Sequence, residues 1–199
     1  MRKKYLLVIL HFFIGTVLLT AQGVPARRID TTIKIGKAGY RLVCSNKNPE
    51  KNQVNITPVG FDKEVRDFGF EVKGRITKAE VDDINQDGFP DLVFYLYTND
   101  SIPKGNVIGI SSDKNESCSP IIFPDIYDDP KLRVGYKGKD EFFLMEGYLV
   151  RRFPVYNTDS TKTPATTGTL MRQVTYRVVP GDRGTSKFMA MKSYEFTKQ

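Results

Sequence analysis

The chain has no tryptophan, two cysteines and a single histidine, His11, among its 199 residues. His11 lies inside an apolar N-terminal stretch, "YLLVILHFFIGTVLL", so the chain downstream of it has no imidazole at all. That absence excludes Ser-His-Asp and Cys-His mechanisms and the usual histidine-containing catalytic zinc sites. The lack of tryptophan removes the broad ring that carbohydrate-binding surfaces often use as a stacking platform. Long apolar periods of 3.6 residues are missing as well: no segment sustains one over three turns, so helices are not expected to build the core.

The chain opens "MRKKYLLVILHFFIGTVLLTAQG", a cationic stub, an apolar run and then small residues. This is the layout of a secretory signal over residues 1–21, with cleavage expected after Ala21 and export to the periplasm or beyond. A retained anchor is the alternative, since the run is about long enough to span a bilayer. The expectation is cleavage, with no stable membrane insertion of the mature chain. Removing Arg2, Lys3 and Lys4 and no acid lowers the formal charge from +7 to +4. That excess falls short of the dense basic stripe of a nucleic-acid binder, and no nucleic-acid partner is expected. The remaining residues 22–199 fit one domain.

Apolar runs are short, β-branched or aromatic, and bounded by turn residues. Strands are expected at 31–36, 40–44, 53–57, 68–74, 91–98, 105–111, 141–156, 170–179 and 187–196. In "QVTYRVV", Val174, Tyr176 and Val178 alternate with Thr175 and Arg177, the pattern of a strand with one wet face. The expected class is mostly β, a single-domain antiparallel β-sandwich, with the last two strands forming a hairpin. "NTDSTKTPATTGT" at 157–169 has a loop composition inside another long hairpin. Cys44 and Cys118 are candidates for one disulfide, which would close a long loop worth on the order of 4 kcal/mol; two buried free thiols are the alternative. The oligomeric state is open, a homodimer included.

The segment "DINQDGFPD" spaces Asp83, Asn85 and Asp87 as in the first half of an EF-hand loop, with Gly88 at the sharp turn, Phe89 offering its carbonyl and Asp91 beyond it. The twelfth position is Phe94, where an EF-hand needs glutamate, so the EF-hand reading fails. The pattern resembles the DxNxDGxxD loops of extracellular domains, in which calcium would relieve repulsion among the carboxylates. The competing reading is a turn whose Asp side chains accept local amides. No cofactor is required by either reading; calcium is the candidate ion.

Adjacent carboxylates, Asp128 with Asp129 and Asp140 with Glu141, are candidates for glycosidase chemistry, but neighbours along a strand point to opposite faces, so an enzyme is not expected. Arg151 and Arg152 are expected to be structural, one in an ion pair and one toward solvent.

Three stretches, "KAEVDDINQDGFPDLVFYL", "GYKGKDEFFLMEGYLVRRFPVYN" and "GTLMRQVTYRVVPGD", together resemble the periplasmic inhibitors of invertebrate-type lysozyme. The likeness runs from about residue 78 to 180 and is most specific around Gly135, Tyr136, Gly138, Asp140, Arg151 and Phe153. It implies a secreted β-sandwich whose partner is a lysozyme-like glycosidase, entered by a protruding loop at 98–106. Family members carry Ser-Gly-x-Tyr-Gly in that loop; here it reads "YTNDSIPKGNVIG". Ser101 takes the serine's place, Gly105 the closing glycine and Lys104 the tyrosine's position, with Ile102 and Pro103 between. A lysine there would meet catalytic carboxylates by a charge-assisted hydrogen bond, and Pro103 would lower the ordering cost.

Overall fold

A computed structural model describes residues 27–156 and 170–198. The expected signal segment 1–21 and the loop 157–169 lie outside the described residues. The protein is mostly β: twelve strands in two sheets, with two short 3-10 turns among the described residues.

The smaller sheet has the order β1-β2-β3-β4, from β1 (Ile29–Ile35), β2 (Ala38–Cys44), β3 (Asn52–Val59) and β4 (Phe68–Val72). The larger has eight strands: β5 (Arg75–Asp82), β6 (Asp91–Tyr97), β7 (Gly105–Asp113), β8 (Ser117–Ile122), β9 (Glu141–Met145), β10 (Tyr148–Pro154), β11 (Leu170–Pro180) and β12 (Ser186–Thr197). Their spatial order is β5-β6-β7-β8-β12-β11-β10-β9, and every neighbouring pair is antiparallel except β8 with β12. The two sheets pack face to face through Tyr40, Leu42, Val54 and Ile56 on one side and Leu92, Phe94 and Leu96 on the other. The opposite face of the larger sheet closes over a second core containing Val93, Tyr95, Val107, Phe142, Phe153 and Tyr176. Phe142 of β9 stacks on Tyr95 of β6, with ring centroids 5.8 Å apart, so the large sheet curls until its far end faces its near end.

β6 therefore contributes to both cores, and this explains its unbroken apolar run "LVFYL", since neither of its faces is wet. β11 and β12 form the expected hairpin. The expected strand 141–156 is two strands, β9 and β10, joined at Glu146 and Gly147, whose φ values of 52° and 77° make the two-residue turn that matches strand twist. β5 and β8 were not expected: "RITKAEVD" and "SCSPII" carry charge or proline that masks their alternation.

Cys44 and Cys118 are free thiols, which corrects the expected disulfide. The Cys118 thiol sits by the Tyr40 hydroxyl, and burial pushes it up to about 11. Cys44 is buried at the end of β2 in the core between the two sheets, and Cys118 packs against the same core.

Candidate functional site

Loop 98–104 joins β6 to β7, and it is fixed from below by the glycine-rich segment 135–140. Thr98 and Lys104 close its neck: the Thr98 amide donates to the Lys104 carbonyl at 3.0 Å, and the Lys104 amide donates to the Thr98 hydroxyl oxygen at 3.0 Å. The Lys139 amide then donates to the Pro103 carbonyl at 2.7 Å, and the Gly105 amide to Oδ2 of Asp140 at 2.7 Å. Gly138 sits at φ 112°, and a Cβ there would lie 2.7 Å from the Pro103 carbonyl oxygen and press on Ile102 and Lys104. Only glycine fits this cradle.

Asp140 is the hub. Besides Gly105 it accepts from the Tyr136 hydroxyl at 2.6 Å and from Nε of Arg151 at 2.8 Å, and Nη2 of Arg151 also donates to the Tyr136 hydroxyl oxygen at 3.1 Å. The Arg151 side chain is 3 % exposed and that of Asp140 is 0 % exposed. Burial opposes the Arg151 charge, but the Asp140 carboxylate outweighs it and holds the guanidinium above its ordinary range. Its plane is surrounded by the rings of Phe123, Tyr136, Phe142 and Phe153, 5.0 to 5.6 Å from the guanidinium carbon. A charge pair this deep is a positioning device more than a source of net stability, because desolvation consumes much of the attraction.

The expected partner-binding residues sit where this scaffold ends. Ser101 and Ile102 are exposed at the tip, Pro103 is half-buried on Lys139, and Gly105 begins β7. Lys104 does not stand free as expected: it folds back so that Nζ lies 5.4 Å from the centroid of the half-exposed Tyr127 ring. The outward tip is therefore Asn99 to Ile102, with Asn99 accepting from Nη1 of Arg75 at 2.8 Å. Beneath Lys104 lies a cavity of about 300 Å³ lined by Thr98, Asn106, Tyr127, Tyr136 and Arg151.

Residues 83–91 form a separate turn. The Asp83 carboxylate accepts the amides of Asp87 and Gly88, Asn85 accepts the Asp87 amide, and Asp87 accepts the Phe89 amide. Asp91 is fully buried and accepts the amides of Ile84 and Asn85 at Oδ2 and of Ser112 at Oδ1. Burial pushes its carboxyl up to about 7 against the pull of those amides. Tyr40 donates to the Pro90 carbonyl at 3.0 Å, tying the turn to the small sheet. Among the described residues no group of three His, Cys, Asp or Glu side chains is placed to hold a metal ion. Backbone amides bring the calcium candidates Asp83, Asn85, Asp87 and Asp91 together, and Phe89 donates one of those amides.

Arg151 takes the structural ion pair, whereas Arg152, expected toward solvent, is half-buried: Nε donates to Gln173 at 2.6 Å, and the guanidinium lies over Phe143. Asp140 is spent on Arg151 while Glu141 is exposed, so these neighbours do point apart. Sequence reasoning missed the Asp140 hub and Tyr127; all the hub residues stood in the motif, but nothing in their spacing reveals that they meet.

No protein-family model matches the chain, and no curated protein matches it.

Proposed function

We propose that the protein is an exported binding protein that occupies the active-site cleft of a lysozyme-like glycosidase with loop 98–106, stoichiometrically and without turnover. The observation that carries this reading is the double attachment of the loop to residues 139 and 140, through the Pro103 carbonyl and the Gly105 amide. A loop whose C-terminal arm is pinned at Pro103 and Gly105 and whose neck is closed by Thr98 and Lys104 loses little freedom on insertion, which is how a rigid inhibitor gains affinity. Ser101 and Ile102 lead, and Lys104 swings off Tyr127 to meet a cleft carboxylate. The destination is the periplasm or the cell exterior, in line with the N-terminal signal.

Titration of the mature protein against invertebrate-type, chicken-type and goose-type lysozymes in a cell-wall lysis assay tests this. One class is expected to be inhibited at equimolar ratio, with at least about tenfold weakening in the S101A/K104A double variant. No inhibition of any class at tenfold excess would refute it. The second reading, a calcium-dependent module, rests on the spacing at 83–91 alone.

A further inference from the structure

After β8 the chain makes a short turn beside the neck of loop 98–106. Asp125 caps it: Oδ1 accepts the Tyr127 amide at 2.9 Å, which starts the 3-10 turn Ile126–Asp128. The turn sets the Tyr127 ring edge-on to the Tyr136 ring, with centroids 5.8 Å apart and planes at 75°. These two rings and that of Phe123 line the cavity of about 300 Å³ beneath Lys104, together with Thr98, Asn106 and Arg151. Its volume equals that of about ten waters, room for one six-membered ring and its substituents.

The cavity has polar groups to spare. A guanidinium carries five N–H donors. Arg151 spends Nε on Asp140 and Nη2 on Tyr136, and the Tyr176 hydroxyl takes at most one more, so at least two of its hydrogens have no protein acceptor although the side chain is 3 % exposed. Asn106 accepts the Val107 amide at Oδ1, and its Nδ2 donates to none of the described residues. Asp125 keeps Oδ2 as an acceptor once Oδ1 is used. An apolar occupant would strip water from these groups and leave them bare.

The charges at the cavity cancel. Of its charged lining groups, Arg151 is matched by Asp140 and Lys73 by Glu50 at 3.1 Å, which leaves Lys104 against Asp125. A net charge on the occupant therefore gains nothing on balance. The fitting occupant is a neutral ring, with apolar faces for the aromatic walls and hydroxyls at its edge, since each hydroxyl both donates and accepts. The chain has no tryptophan, and here three smaller rings supply the stacking surface.

We propose that the cavity between loop 98–106 and Tyr127 is a binding site for a single neutral pyranose sugar ring. Arg151 and Asn106 donate to its hydroxyl oxygens, Asp125 accepts from a hydroxyl, and the ring packs against the aromatic walls. Asp140 already fixes the guanidinium, so the main donor is oriented before the sugar arrives. The site borders loop 98–106, but binding of a free sugar does not depend on what that loop inhibits.

The test is an NMR titration of the mature, nitrogen-15-labelled protein with D-glucose, D-galactose and N-acetyl-D-glucosamine, one at a time. At least one is expected to bind saturably with a Kd of about 1–10 mM, shifting the amides of Asn106 and Tyr127 and leaving those of the turn 83–91 in place. Y127A and N106A, both changes at exposed positions, should each weaken binding about fivefold. Y148A, at an exposed tyrosine outside the cavity, should bind unchanged. No binding of any of the three sugars at about 100 mM would overturn the proposal, as would undiminished binding by both cavity variants. Tighter binding of glucuronate or of glucosamine than of glucose would overturn it too, because the site would then select charge.

Discussion

Asp140 and Asp91 are both buried carboxylates, and each gathers amide hydrogens from a neighbouring loop, yet they meet the cost of burial differently. Asp140 has a guanidinium in contact, a phenol and one amide; Asp91 has three amides and no cation among its hydrogen-bond partners. The arginine cancels a full charge, whereas amides offer partial ones, so Asp91 is the group that burial drives up to about 7. Loop 98–106 is built on the first arrangement. The second makes the turn at 83–91 sensitive to protons.

The largest effect is expected from R151M, which leaves Asp140 buried without its cation. Urea unfolding should show a loss of about 3–5 kcal/mol, and adding D140N should recover a good part of it. A loss under about 1 kcal/mol would mean that the hub is dispensable and that the two carboxylates do not differ.

Next comes the pH dependence. The folded pKa of Asp91 lies above its unfolded value, so its stabilising contribution is complete below about pH 4 and is lost as pH rises to about 7. Over that window the stability of the wild type relative to D91N should fall by about 1.4 kcal/mol per pH unit. A difference that stays flat would mean that burial does not raise the Asp91 carboxyl.

Calcium gives the smallest expected effect. Because the turn's carboxylates are already engaged by amides, melting in millimolar calcium and in EGTA should differ by less than about 2 °C. A rise of several degrees in calcium, absent in D83N/D87N, would show that the turn is an ion site and bring back the calcium-dependent reading.

The strands were legible wherever one face was wet or a turn was marked by glycine or asparagine. β11 and β12 stood out for the first reason; β6 did so by its apolar run. β5 and β8 were hidden, the first behind Lys78, Glu80 and Asp82, the second behind Pro120 and two serines. At the site, Gly135, Tyr136, Gly138, Asp140 and Arg151 were all visible as a motif, but their joint task was not.

Alternation, turn residues and composition set the β class and the place of loop 98–106, because strand pleat and backbone φ are properties of neighbouring residues. Three outcomes waited for the tertiary structure: the free thiols of Cys44 and Cys118, the fold-back of Lys104 onto Tyr127 and the Asp140 hub. Each depends on which strands pair and in what register, and so on contacts between residues far apart in the chain.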